Sequence, residues 1–187
     1  YRLSAVGEMG IGNTTTSSAV ASVLLQKDPE LVTGAGAGLD SAGLKRKTEA
    51  IRRGIGLHHP DPMDGMEVLQ KVGGFDLAAM AGAFLGGAIY HVPVVIDGVI
   101  AAAAAAAAGR IAPAATDYML AAHVSAEPAS IWLLDLIGVT PAIQAGLRLG
   151  EGTGALALFP LLDMALSIYR DMGTFAEMEI EEYKPLV

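Results

Sequence analysis

The sequence predicts an α/β fold, a parallel sheet with helices on both faces, closed by a C-terminal helical segment. Three observations carry that expectation. Short apolar runs alternate with glycine-rich turns and helical stretches, the pattern of strand–loop–helix units with parallel strands. The clearest strand, Val92–Ile96, is apolar throughout, as a strand buried on both faces must be, and it runs into Asp97-Gly98 and an alanine helix. Hydrophobic residues make up 52% of the 187 residues and charged residues 17%, a balance that excludes disorder for most of the chain. The length suits one domain with a short appendage. Residues 1–172 are read as the α/β domain and residues 173–187 as an acidic tail suited to docking on a small helical domain.

In chain order, Leu3–Val6 reads as the end of a buried strand and Gly7–Asn13 as a glycine-rich turn. Ser17–Gln26 reads as a helix stopped by Asp28-Pro29. Leu31-Val32-Thr33 reads as a further strand, followed by Gly34-Ala35-Gly36-Ala37-Gly38 and a basic helix from Ser41 to Arg53. His58–Pro62 is a loop, and Asp64–Val72 a helix broken by Gly73-Gly74. Asp76–Tyr90 reads as a helix with closely packing small residues, and Ile100–Gly109 as a core helix whose alanines allow close approach. Tyr118–Ala122 fits a short helix or a strand leading to His123-Val124-Ser125. Glu127–Ile137 reads as a helix, Pro141–Leu149 as irregular or helical, and Thr153–Met172 as a long helix. The result is a three-layer, Rossmann-like arrangement. Its loops at Gly7–Asn13, Gly34–Asp40, Asp97-Gly98 and Ser125–Glu127 are expected at the carboxyl ends of strands, where such sheets bind ligands.

Composition narrows the function. Twelve Lys+Arg against twenty Asp+Glu give a net charge of −8, which makes the chain a poor nucleic-acid binder, because neutralising phosphates needs a basic face. The absence of Cys excludes a disulfide framework, a thiolate metal site and a cysteine nucleophile, and is compatible with a reducing cytoplasm. Mean hydropathy is high at +0.46. Yet the longest apolar run, Leu77–Tyr90, is well short of the ~20 residues that span a bilayer, so no membrane partner is expected. His58, His59, His91 and His123 lack metal-ligand spacing and read as surface or core residues; no metal site is expected.

Two features carry chemistry. Gly34–Gly38 before a helix bearing Lys45 and Lys47 suits an anion, because glycine lets backbone N–H groups approach it and a helix N-terminus is partly positive. It matches neither the dinucleotide fingerprint nor a P-loop, and a tight turn with a solvated basic face explains it equally. Glu8 and Glu151 are each set among glycines. Each reads as a helix-start residue, or the two as carboxylates converging on one pocket. Arg148, three residues before Glu151, suits a partner for it or for an anionic substrate.

Taken together, Gly7–Thr15, Gly34–Asp40 with Lys47, Val72–Asp76, Ile96-Asp97-Gly98 and Gly150–Ala155 resemble, in order, the nicotinate-nucleotide–dimethylbenzimidazole phosphoribosyltransferase family. The resemblance covers essentially the whole chain and corresponds to the family's C-terminal part. It implies phosphoribosyl transfer from nicotinate mononucleotide to a benzimidazole base in cobalamin lower-ligand synthesis, with no cofactor. It also implies a homodimer in the cytoplasm. Glu151 matches the general base and Glu8 a second acidic residue near ring or ribose. Gly10, Gly36, Ala37 and Lys47 match phosphate and ribose contacts. Met9, Ser125, Arg148 and Leu149 match positions around the aromatic ring, and Asp97-Gly98 falls in a matching substrate-binding motif. The turn at Gly7 lies so near Tyr1 that sequence is expected upstream, and with it part of the acceptor pocket. A chain lacking that half is expected either to retain transfer or to bind the nucleotide phosphate without catalysis.

Overall fold

The computed structural model describes residues 2–36, 38–179 and 181. Its sheet has three parallel strands in the order β1 (Ser4–Val6), β2 (Val94–Ile96), β3 (Met119–Ala121). Ser4 stands beside Val94, and Val94 beside Met119, so all three strands end at one level. Successive side chains point to opposite faces of a strand. Val94, Ile96, Met119 and Ala121, with Val6, therefore meet the main core, while Val95 faces a second cluster with Ala122, Ala155 and Leu158.

The main core is built by α1 (Thr14–Leu25), α4 (Gly65–Val72), α5 (Phe75–Ile89), α6 (Gly98–Ile111) and α7 (Ser130–Leu136). The second cluster belongs to α8 (Thr153–Asp171) on the opposite face. Helices thus cover both faces, as the sequence predicts. Two more helices, α2 (Pro29–Val32) and α3 (Ser41–His58), flank α1.

Several helix starts are written in the side chains. Asp40 accepts the Gly43 N–H at 2.7 Å to open α3, and Asp64 accepts the Glu67 N–H at 3.0 Å to open α4. The segment that reads as a strand at Leu31–Thr33 is instead the end of α2. Asp28-Pro29, which reads as a stop, is a start: Asp28 caps Glu30 at 2.8 Å and proline occupies the first turn. The glycine-rich segment 34–38 consequently lies between two helices rather than after a strand. Helix α1 also begins earlier than predicted, because the Thr16 and Ser17 hydroxyls fold back onto the Asn13 carbonyl at 2.8 Å. Helix α7 begins later than predicted, beyond Pro128. Tyr118–Ala122 resolves as a 3-10 turn running into β3. Among the described residues no helix is long and apolar enough to cross a membrane.

Helix α6 lies at the centre of the helical layer, touching α1, α4, α5 and α7. Every residue from Ile100 to Ala108 is buried, and no side chain from 101 to 108 exceeds a methyl group. Close-packed interiors leave no room for added methylenes. We expect Ala104→Leu to destabilise the chain by about 1–3 kcal/mol in urea unfolding. Ala79→Leu, on the exposed side of α5, should change it by no more than about 0.5 kcal/mol.

Candidate active site

The carboxyl ends of the three strands open onto one pocket of about 260 Å³. The loop after β1 brings Glu8, Met9 and Gly10; the loop after β2 brings Asp97 and Gly98; the loop after β3 brings Ser125; and the segment before α8 brings Arg148, Leu149 and Glu151. Gly36 reaches the same pocket from the α2–α3 connection, although no strand precedes it. The pocket thus gathers the predicted site residues except Lys47, which stands behind Gly36, and Ala37, which lies outside the described residues. Both glutamates line it, so the reading of two carboxylates on one pocket fits the geometry. Glu151 does not cap α8: it precedes the N-cap residue, Gly152.

The loops touch through glycine. A side-chain carbon on Gly7 would fall 2.5 Å from the Gly152 nitrogen, and one on Gly150 would fall 3.1 Å from the Glu8 carbonyl oxygen. Those two approaches lock the Glu8 loop against the Glu151 segment. Gly150, Glu151 and Gly152 are three successive left-handed residues, with φ of 74°, 58° and 84°. Glycine adopts that region freely, whereas glutamate does so at a cost of about 1 kcal/mol. Non-glycine residues in this region cluster at functional sites, and Glu151 lines the pocket.

At the Gly36 end, Lys47 is buried on α3. Its Nζ donates to Thr14 Oγ1 and to the Gly34 carbonyl, both at 3.0 Å. An ammonium has three N–H donors, so one remains for a ligand at Gly36. Burial lowers the Lys47 pKa, and the nearby Glu127 charge opposes that shift. Glu127 lies directly over Gly34, where any side chain would collide with its carboxylate. An ammonium and a carboxylate side by side suit a ligand with both an anionic group and hydroxyls.

Sequence reading missed Ile11, Thr14, Val99, Ile100, Glu127 and Gly150 in the lining. Thr14 and Glu127 lie inside segments singled out above, Gly7–Thr15 and Ser125–Glu127, without being named there as site residues. Ile100 offered no signal apart from its place in a core helix. His123, read as a surface or core residue, is buried and pairs with Asp97, its Nε2 2.8 Å from Oδ1. That hydrogen bond raises the His123 pKa, against burial, which lowers it. Among the described residues, no group of His, Asp and Glu is arranged to hold a metal ion.

A phosphoribosyltransferase family model matches residues 1–180. The nicotinate-nucleotide–dimethylbenzimidazole phosphoribosyltransferase of Ruminiclostridium cellulolyticum is 50% identical over 180 residues, which cover 96% of this chain and 51% of that protein. The enzyme of the same name from Clostridium acetobutylicum is 48% identical, with the same coverage. The crystal structure of CobT from Thermus thermophilus superposes with a TM-score of 0.89 at 41% identity, covering 97% of this chain and 54% of that one. The chain spans about half the length of the curated relatives it matches.

The Asp97–His123 pair makes stability depend on pH. Its contribution is full below pH 6.5, where the imidazole is protonated folded or unfolded, and fades as pH rises through the raised folded value. We expect urea midpoints to fall as pH rises above 6.5, and His123→Gln to flatten that fall. An equal fall in both proteins would remove His123 as its source.

Proposed function

The chain belongs to the nicotinate-nucleotide–dimethylbenzimidazole phosphoribosyltransferase family, and from that premise we propose that its pocket transfers a phosphoribosyl group from nicotinate mononucleotide to 5,6-dimethylbenzimidazole. The products are α-ribazole 5′-phosphate and nicotinate, in cobalamin lower-ligand synthesis. The observation that carries this reading is the convergence of Glu8 and Glu151 on one pocket whose far end holds a buried lysine beside glycine.

In this mechanism Glu151 takes the proton from the benzimidazole nitrogen, which is otherwise a weak nucleophile. That nitrogen forms a bond to the anomeric carbon as the bond to the pyridinium nitrogen breaks. Nicotinate leaves with the electron pair, and attack from the opposite face inverts the centre. Positive charge gathers on the sugar ring in the transition state, as in glycoside hydrolysis, and Glu8 faces it. Lys47, with the main chain of Gly10 and of Gly36-Ala37, takes the phosphate and ribose. Glu127 accepts a hydrogen bond from a ribose hydroxyl. Met9, Ser125, Arg148 and Leu149 enclose the aromatic rings, with Asp97 and Gly98 at the floor. The reaction needs no cofactor. The protein acts as a cytoplasmic homodimer, and residues 1–172 form its catalytic unit with 173–187 as a docking tail.

The decisive assay incubates the chain with nicotinate mononucleotide and 5,6-dimethylbenzimidazole and follows products by mass spectrometry. Release of nicotinate with the α-riboside phosphate supports transfer; nucleotide binding without product supports a binding module instead. Where transfer occurs, Glu151→Gln should lower turnover by about 10²-fold or more. Near-normal turnover would take Glu151 out of the mechanism. Lys47→Ala should weaken nucleotide binding more than base binding in titration calorimetry, and equal weakening of both would contradict the phosphate assignment.

A further inference from the structure

Asp97 stands at the N-cap position of α6, yet its carboxylate caps nothing in that helix. Its Oδ1 instead accepts two hydrogen bonds, from His123 Nε2 at 2.8 Å and from the Gly154 backbone N–H at 3.1 Å. Gly154 lies in the first turn of α8, whose own N-cap residue, Gly152, has no side chain to offer. Asp97 is therefore a cap supplied from another element, with negative charge at the positive end of a 19-residue helix. An ionised carboxylate only accepts, so His123 must be the donor. Asp97 and His123 are 1% and 3% exposed, so the protein surrounds both partners.

The arrangement is tight as well as polar. A side-chain carbon on Gly154 would fall 2.1 Å from His123 Cδ2 and 2.4 Å from Asp97 Oδ1. The imidazole thus packs directly against the turn that leaves the left-handed Glu151 segment. On the near side of that turn, Thr153 returns its N–H and its hydroxyl to the Gly150 carbonyl, at 3.0 and 2.7 Å. The strained glutamate is pinned between these two anchorages, one within the loop and one made by the buried pair.

We infer that His123 is a positioning residue: acting through the Asp97 carboxylate, it fixes the first turn of α8 and with it the left-handed Glu151 segment at the pocket. Its bearing on catalysis rests on the transfer proposed above, while the restraint on the backbone stands apart from that reading. The imidazole touches no reacting atom; it keeps the carboxylate oriented so that Gly154, and hence Glu151, has one place to be.

The test compares His123→Leu, which fills the space without a donor, with His123→Gln, which restores an N–H toward Asp97. Amide hydrogen exchange is followed by NMR in the chain itself. His123→Leu should speed exchange at Gly154 by about tenfold or more, with Ala103–Ala107 within about threefold of wild type. His123→Gln should recover most of the Gly154 protection. No selective change at Gly154, or a loss spread equally through α6, would overturn the inference. In the transfer assay His123→Leu should lower kcat about tenfold with KM little changed, and His123→Gln should restore it. An unchanged kcat in His123→Leu would equally overturn it. If wild type shows no transfer, the proposed function falls and Gly154 exchange alone decides the role of His123.

Discussion

A helix sheathed on every side admits only side chains that take almost no room, and α6 is sheathed from Ala101 to Ala108. The alanine run meets that demand. It lets α1, α4, α5 and α7 close around α6 while β2 delivers the chain to its first residue. Alanine is also the best helix former, so local preference and packing ask for the same residue. Because α6 starts at Gly98, directly after Asp97, the seating of this helix fixes the end of the central strand. That point in turn fixes where the loops after β1 and β3 must meet it.

A buried acidic side chain stands at that point, beside a pocket lined largely by apolar surface. Asp97 is buried with Oδ1 doubly engaged and Oδ2 without a hydrogen-bond partner. A buried charge is costly unless hydrogen-bonded, and such pairs serve specificity better than stability. The carboxylate joins the end of β2, the segment that follows β3 and the start of α8. Glycine at 7 lets the β1 loop approach as well, since a side-chain carbon there would lie 2.9 Å from Oδ2. The segments that carry Glu8 and Glu151 thus both border this one acidic side chain.

Much of this is legible in the sequence, and the misses have physical causes. The strand at Val92–Ile96, the alanine helix and the long C-terminal helix follow from run length, bounding glycines and residue preference, which local sequence reports well. Glu8 and Glu151 stand out because glycine flanks them, and the backbone explains those glycines through close approach and positive φ. Leu31–Thr33 misleads because so short an apolar and β-branched run fits either state. The Asp-Pro-Glu start before it is the better guide. His123 reads as inert because its partner, Asp97, lies 26 residues away and no spacing rule joins them. The loop that ends at Glu127 stands out in the sequence, but the role of Glu127 does not, since its neighbours Gly34 and Lys47 come from distant segments. Contacts between segments, rather than within them, are what the sequence hides.

The acidic balance of the chain and an anionic nucleotide are reconciled by distance. A polynucleotide presents phosphates over a long surface, and binding it requires many cations spread over a matching face. A mononucleotide presents one phosphate, and its environment is set within about 8 Å, the screening length at physiological salt. Within that range at the Gly36 end stand the Lys47 ammonium and the backbone of a glycine that leaves its amide approachable. Glu127 lies near the lysine and Arg148 lines the pocket with Glu151, so each end of the pocket carries both signs of charge. On the proposed reading, what receives the phosphate is therefore the local pairing of Lys47 with the glycine backbone and not the sign of the whole chain.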